Sequence, residues 1–244
     1  FNSSVSKTLQ GNDNIAMGYQ AGKNIESGTH NLAIGHESGY SITSGDYNLG
    51  IGYYAKPGTT GNNNICFGKF AGSGNLTGSD NIVFGLYSGS STTSGDRNVL
   101  AGYEAGKSLT TAGDCIGIGK WSLGGASAGV TGNNNIAVGE MSLYDITSGT
   151  HNTCVGWLSG GNINTGGYNT CMGRAAGSNI TTGSNNTVIG RGAEATSATT
   201  SNEVTLGNTS VTKFRVPGIG LEADDGILSL KTGSGSVAEA RFYC

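Results

Sequence analysis

Large side chains are what this sequence has least of. Aromatic residues make up 7% of its 244 positions and charged residues 12%, with only 2 prolines against 45 glycines. Such a composition excludes a core of bulky side chains; the backbone must close on itself often and pack thinly. No run of about 18 apolar residues occurs, so no segment reads as a membrane-spanning helix and no membrane insertion is expected. Basic excess is missing too, since 13 Lys and Arg face 16 Asp and Glu for a net charge of −3. No stretch gathers basic residues with aromatics as a nucleic-acid groove does, and nucleic acid is not an expected partner. Cys66, Cys154 and Cys171 share one repeat slot, Cys115 occupies another and Cys244 ends the chain. With no C-x-x-C pair and no His/Cys cluster, small buried thiols are expected rather than a zinc site or a disulfide framework, and no metal or cofactor is assigned. The chain opens at Phe1 without a signal-like segment and stops at Phe242-Tyr243-Cys244, so it reads as a piece of something longer.

What is present is one phrase, G-x-x-N-x-x-x-G, written again and again. Its closing glycines fall at Gly18, Gly35, Gly52, Gly68, Gly85, Gly102, Gly119, Gly139, Gly156, Gly173, Gly190 and Gly207, in steps of 17 residues except one of 16 and one of 20. A short fixed period is the signature of a solenoid. Four residues before the closing glycine stand Asn14, Asn31, Asn48, Asn64, Asn81, Asn98, Asn135, Asn152, Asn169 and Asn186, with Cys115 the exception. Asparagine tolerates left-handed backbone, and its amide both donates and accepts, so stacked copies are expected to cap each turn and form a structural ladder up the stack.

The three residues before each closing glycine, such as IAM at 15–17, ICF at 65–67 and TVI at 187–189, alternate as a strand with two different faces. One face is expected to fill a core and the small-residue face to lie against a neighbour. Three residues after the closing glycine the chain is always Ala or Ser, from Ala21 and Ser38 to Ala176 and Ala193, which suggests a spot where backbone or another chain comes close. On that reading Ala105→Leu blocks assembly. A hydroxyl slot, Ser27 through Thr199, lies two residues beyond Ile25, Ile42, Leu109, Ile146, Ile163 or Ile180 in six coils, and predicts a second, weaker strand. The fold class is thus all-β: a parallel β-roll or β-solenoid of about twelve two-strand coils, a rod on the order of 55 Å long. Its apolar strip predicts association. Extra residues near Leu123 to Val130 predict a loop bulging from the rod, where recognition can be added.

The strings N-L-A-I-G at 31–35 and N-I-A-V-G at 135–139 resemble the strand motif of trimeric autotransporter adhesin heads. The longer forms GNDNIAMGYQAG at 11–22 and GDRNVLAGYEAG at 95–106 are similar to repeats in tail fibres and tailspikes of tailed bacteriophages. The resemblance covers residues 11–207. It implies a left-handed parallel β-roll in an intertwined or side-by-side homotrimer, located in the virion and contacting other tail proteins. It also implies a non-catalytic role as spacer and host-adsorbing surface, with a cell-surface glycan or protein as partner. The alternatives are the head of a bacterial trimeric adhesin, which heptads or a membrane anchor in the full gene would favour, and a polysaccharide depolymerase with an intersubunit site, which a carboxylate pair facing one groove would favour. Residues 1–10 then form an entry segment, 208–220 an exit segment similar to those after such repeats, and 221–244 the start of a following β-rich fibre domain.

Apparent catalytic motifs dissolve into the repeat. AGYEAGKS at 101–108 fits a loose phosphate-loop pattern through Lys107 and Ser108, but GYQAGKN at 18–24 repeats the same words without a strand–helix context. GASAG at 125–129 fits a nucleophile elbow through Ser127, with Asp145 and His151 following, yet no α/β alternation surrounds it. Carboxylates are scattered singly apart from Asp224-Asp225, so no catalytic residue is assigned. The threonine file needed for ice binding is interrupted by Glu26, Leu76 and Val130. Aromatic residues just after the closing glycines, including His36, Phe70, Tyr87 and Tyr103, read as surface or groove fillers. Among them Tyr19, Tyr53, Trp121 and Trp157 are the candidates for surface recognition of sugars.

Overall fold

The structure is a computed structural model that describes residues 11–74, 76–125, 129–216, 221–224 and 227–230. Twelve strands of three residues each follow one another: β1 (Ile15–Met17), β2 (Leu32–Ile34), β3 (Leu49–Ile51), β4 (Ile65–Phe67), β5 (Ile82–Phe84), β6 (Val99–Ala101), β7 (Ile116–Ile118), β8 (Ile136–Val138), β9 (Thr153–Val155), β10 (Thr170–Met172), β11 (Thr187–Ile189) and β12 (Val204–Leu206). They stack in chain order as one parallel sheet, a β-solenoid of about eleven turns. No helix occurs among the described residues. Register is residue for residue: Ile65 sits beside Ile82, Cys66 beside Val83 and Phe67 beside Phe84. Because the coil length and the sequence period coincide, like stacks on like.

The strands turn their small side inward. The middle residue of each strand from β2 to β11, Ala33, Cys66, Val83 or Leu100 for example, is buried, while the outer pair lies outside, with Ile82 45% and Phe84 55% exposed. This inverts the expectation that the small-residue face meets a neighbour. The interior is too thin for two large side chains to meet across it. The middle residues lie against the Ala/Ser slot and, where it is present, the Ile25-to-Ile180 file, and those residues are buried as well. The scale is set at Gly39, where a Cβ would come within 2.9 Å of the Ala33 Cβ and 3.1 Å of Ile42 Cδ1.

The second strand foreseen on the opposite wall does not form. That half of the coil is a chain of turns, with Ala21 N–H donating to Gly18 O (3.3 Å) and Ile25 N–H to Gly22 O (3.1 Å). Among the described residues the one bridge outside the named strands is Leu109 with Val130. Left-handed residues at Gln20 (φ 53°) and Gly22 (φ 60°) destroy the pleat there, so the wall bonds coil to coil through isolated contacts such as Gly22 N–H to Ser38 O (2.9 Å). Left-handed geometry is likewise absent from the ladder asparagines; the residue before each one takes it, as at Asp80 (φ 61°) and Arg97 (φ 55°). The closing glycines are required by contact as well as by conformation. At Gly35 (φ +126°) a Cβ would lie 2.5 Å from the carbonyl oxygen of Gly52 in the next coil.

The uniformly small Ala/Ser slot is explained within one chain. Ser38 Oγ donates to Gly50 O (2.7 Å), Ser142 Oγ to Cys154 O (2.9 Å) and Ser159 Oγ to Cys171 O (2.8 Å), each a strand carbonyl of the following coil. The close neighbour is the chain's own next turn. The extra residues between Leu123 and Val130 leave from and return to buried positions at both of those residues. Residues 126–128, where the bulge was expected, lie outside the described set.

A second compact unit begins at Gly207. In it β13 (Lys213–Val216), β14 (Leu221–Asp224) and β15 (Ile227–Leu230) form an antiparallel sheet, so strands from the expected exit segment and from the expected following domain share one sheet. The entry segment 1–10 lies outside the described residues.

Ala105 is fully buried, and its carbonyl accepts from Gly89 N–H (2.9 Å) and Ser88 Oγ (3.1 Å). Ala105→Leu is therefore expected to overpack the coil itself, costing about 1–3 kcal/mol. Thermal unfolding followed by circular dichroism checks this: an unchanged melting temperature would mean the slot has room the structure does not show.

Candidate functional site

The asparagines build a continuous polar spine. Each Oδ1 accepts from the backbone N–H of the residue in the same slot of the next coil, and in most coils from the Nδ2 of the next asparagine. Asn81, for instance, donates N–H and Nδ2 to Asn64 Oδ1 (both 3.0 Å) and Nδ2 again to Gly95 O (2.9 Å). One run extends from Asn14 through Asn31, Asn48, Asn64 and Asn81 to Asn98, and another from Asn135 through Asn152 and Asn169 to Asn186. Cys115 separates them: its N–H still donates to Asn98 Oδ1 (3.0 Å), but its thiol offers only long contacts to Gly113 O and Gly132 O (3.3 and 3.5 Å). A buried amide with every atom paired is rigid, and one left unpaired is costly.

A second ladder, two residues before the first, escaped the sequence reading. Its side-chain oxygens accept from the backbone of the preceding coil: Thr29 N–H to Asp46 Oδ1 (2.7 Å), Asp46 N–H to Asn62 Oδ1 (2.8 Å), Asn62 N–H to Ser79 Oγ (3.0 Å) and Ser79 N–H to Asp96 Oδ1 (2.7 Å). The signal was present as a slot holding Asp, Asn, Ser or Thr in most coils, but four residue types disguise one chemical role. Between the two ladders lies an exposed file that pairs its members by type. Arg97 grips Asp114 bidentately (2.6 and 2.9 Å), while His30 and His151 stack on Tyr47 and Tyr168 (4.7 Å each).

The candidate recognition residues do not form one cluster. Tyr19 and Tyr53 belong to a single stack through His36, with ring centroids 5.0 and 4.9 Å apart. Trp121 stands one slot further on, with Lys120 3.8 Å above its ring and Tyr103 edge-on at 6.2 Å. Trp157 stands apart again beneath Arg174 at 4.6 Å. Beside Trp121, burial of the Glu104 carboxyl favours its neutral form, but hydrogen bonds from Lys107 Nζ (2.9 Å), the Tyr103 hydroxyl and Trp121 Nε1 (3.2 Å) outweigh it and hold Glu104 below the ordinary carboxylate value.

The dismissed motifs have other employment. Lys107 is occupied by Glu104, and no helix follows Ser108. Ser127 lies outside the described residues, while His151 faces Tyr168 and Asn134. The threonine file is turned along the rod, Thr43 Oγ1 donating to Thr59 O (3.0 Å) and Thr110 Oγ1 to Val130 O (3.0 Å). Among the described residues no three His, Cys, Asp or Glu side chains gather to hold a metal. Cys66, Cys115, Cys154 and Cys171 are buried free thiols, and burial pushes those of Cys66, Cys115 and Cys154 upward in pKa.

Asn81→Leu is expected to cost about 1–3 kcal/mol by orphaning Gly95 O and the backbone N–H of Asn98. Cys115→Asn, joining the two runs, is expected to raise stability by about 0.5–1.5 kcal/mol; chemical denaturation of both variants checks the signs. Because Glu104 is depressed in the folded chain, its contribution is complete above the ordinary carboxylate value and lost as pH falls through the folded one. Melting temperatures measured from pH 7 down to pH 3 should therefore drop less steeply for Glu104→Gln than for the parent chain.

No protein-family model matches this chain, and no curated protein or solved structure matches it.

Proposed function

We propose that this chain is a rod segment of a homotrimeric fibre of the phage tail-fibre or tailspike kind, acting as a structural spacer and as a surface for adsorption to a host. One observation carries the reading: the outer face of the solenoid sheet is a double file of mostly apolar side chains that are exposed or half-exposed. The first file runs Ile15, Leu32, Leu49, Ile65, Ile82, Val99, Ile116, Ile136, Thr153, Thr170, Thr187, Val204. The second runs Met17, Ile34, Ile51, Phe67, Phe84, Ala101, Ile118, Val138, Val155, Met172, Ile189, Leu206 and is apolar in every coil.

Twelve rungs at about 4.8 Å make a strip on the order of 50 Å long and 10 Å wide, at the upper end of what monomers expose. A flat apolar sheet of this regularity also invites uncontrolled pairing unless it is covered. Identical copies cover it best, because every rung then meets the same rung of its neighbour and the register of one chain fixes that of the others. Three chains make such a rod stiff, and repeated weak contacts along it add through effective concentration.

Light scattering of the purified chain is expected to give about three times its 24.6 kDa mass. Phe84→Glu, placed on the second file, is expected to yield single chains that keep their β signal in circular dichroism, because Phe84 is 55% exposed in one chain. A stable monomer of the parent chain, or a full-size trimer of the variant, counts against the reading.

A further inference from the structure

The cations of the solenoid gather at one corner. Between residues 11 and 207 every Lys and Arg except Arg97 lies within five residues after a closing glycine, a stretch that also carries Glu37, Glu104, Glu140 and Glu194, while Asp13, Asp46, Asp80, Asp96 and Asp114 lie one or two residues before the ladder slot. Within the cationic corner the cations differ along the rod. Lys107 and Lys120 are matched with Glu104 and Glu140 (2.9 and 3.5 Å). In the first four coils Lys23, Lys56 and Lys69 have no carboxylate at ion-pair distance among the described residues. Their ammonium groups lie instead over aromatic rings: Lys23 over Tyr40 (5.7 Å), Lys56 over Tyr54 (5.8 Å), and Lys69 over both Tyr53 and Phe70 (5.5 Å each).

The nearby carboxylates are engaged elsewhere. Glu37 faces His36 Nε2 (3.4 Å) and takes the Tyr54 hydroxyl, which raises that phenol's pKa; Asp46 holds Thr29. A ring beneath an ammonium group stabilises it without neutralising it, so these three charges stay available. They are spread over three rung spacings, about 14 Å along the axis. Around them stand the Tyr19–His36–Tyr53 stack and the Phe70–Tyr87 stack (4.9 Å), whose rings lie face to face. Tyr19, Tyr53 and Tyr87 remain 37 to 49% exposed.

From this juxtaposition we infer that the cationic, tyrosine-lined corner of the first four coils is a binding surface for an acidic polysaccharide, of the kind that carries carboxylates on its sugar rings. A pyranose chain laid along the rod advances by about one rung per residue, so its carboxylates reach the lysines in turn while its hydroxyls and C–H groups meet phenol hydroxyls and ring edges. A bare polyanion would use the lysines and leave the aromatic frame idle; a neutral glycan would use the frame and leave the charges unmatched. The inference rests on the adsorption reading above and names its ligand class.

The test is calorimetric titration of the purified chain with calcium-free polygalacturonate, with neutral dextran and single-stranded DNA as comparisons and the mass of each sample measured in parallel. Polygalacturonate is expected to bind and to weaken with added salt. Lys56→Gln/Lys69→Gln should weaken it at least tenfold, and Lys120→Gln, which removes a paired cation, should change it less than twofold. Absence of binding by a folded sample, equal binding by the double variant, or equal binding of dextran or DNA overturns the inference. A three-chain mass without polysaccharide binding removes this inference and leaves the rod standing; binding by a single-chain sample does the reverse.

Discussion

Everything in the solenoid depends on one constraint: each coil satisfies its backbone by bonding to the coil above and below, in register. The strand residues do so through a parallel ladder, the turn residues through single bonds such as Gly39 N–H to Ala55 O (2.8 Å) and Glu37 N–H to Tyr19 O (2.8 Å). A coil that changed length would break both sets at once, which is why the period is held so closely. It is also why glycines recur wherever successive backbones approach too near for a Cβ. The 20-residue coil obeys the same rule, since its surplus is inserted between Leu123 and Val130 and the buried ends keep their places.

Register of this kind turns single interactions into arrays. One asparagine in a turn is a modest cap; ten of them in register are two polar spines in which a single Oδ1 serves two donors. The same arithmetic operates in the opposite sense on apolar groups. Isolated exposed Ile or Phe residues mean little on a protein surface, but the same residues repeated over twelve rungs make a strip that one chain cannot cover. The narrow interior and the open sheet face are thus two consequences of one thin coil.

Much of the chain was legible residue by residue. The closing glycines located every strand of the solenoid, because a strand three residues long always precedes a residue that only glycine can be. The asparagine slot was legible for the same reason: one residue type marks one role. Legibility failed where one role is shared by several residue types, as in the Asp46–Asn62–Ser79–Asp96 ladder, and where one pattern fits two geometries. The Ile25 file looked like a second strand, yet a buried isoleucine is equally at home on a wall of turns once Gln20 and Gly22 take left-handed backbone.

By itself, then, the sequence determined the period, the parallel stacking and the polar spine, since these follow from spacing along the chain and from the conformational needs of glycine. Tertiary structure alone decided which side of each strand is inside. Alternation states that the two faces differ, but only the width of the closed coil, with Ser38 and Pro57 already filling it, leaves room for Gly50 within and sends Leu49 and Ile51 out. It also decided which charges are free: Lys69 and Lys120 each follow a closing glycine directly, and the neighbour each meets across the stack, the Tyr53 ring or the Glu140 carboxylate, is set by folding.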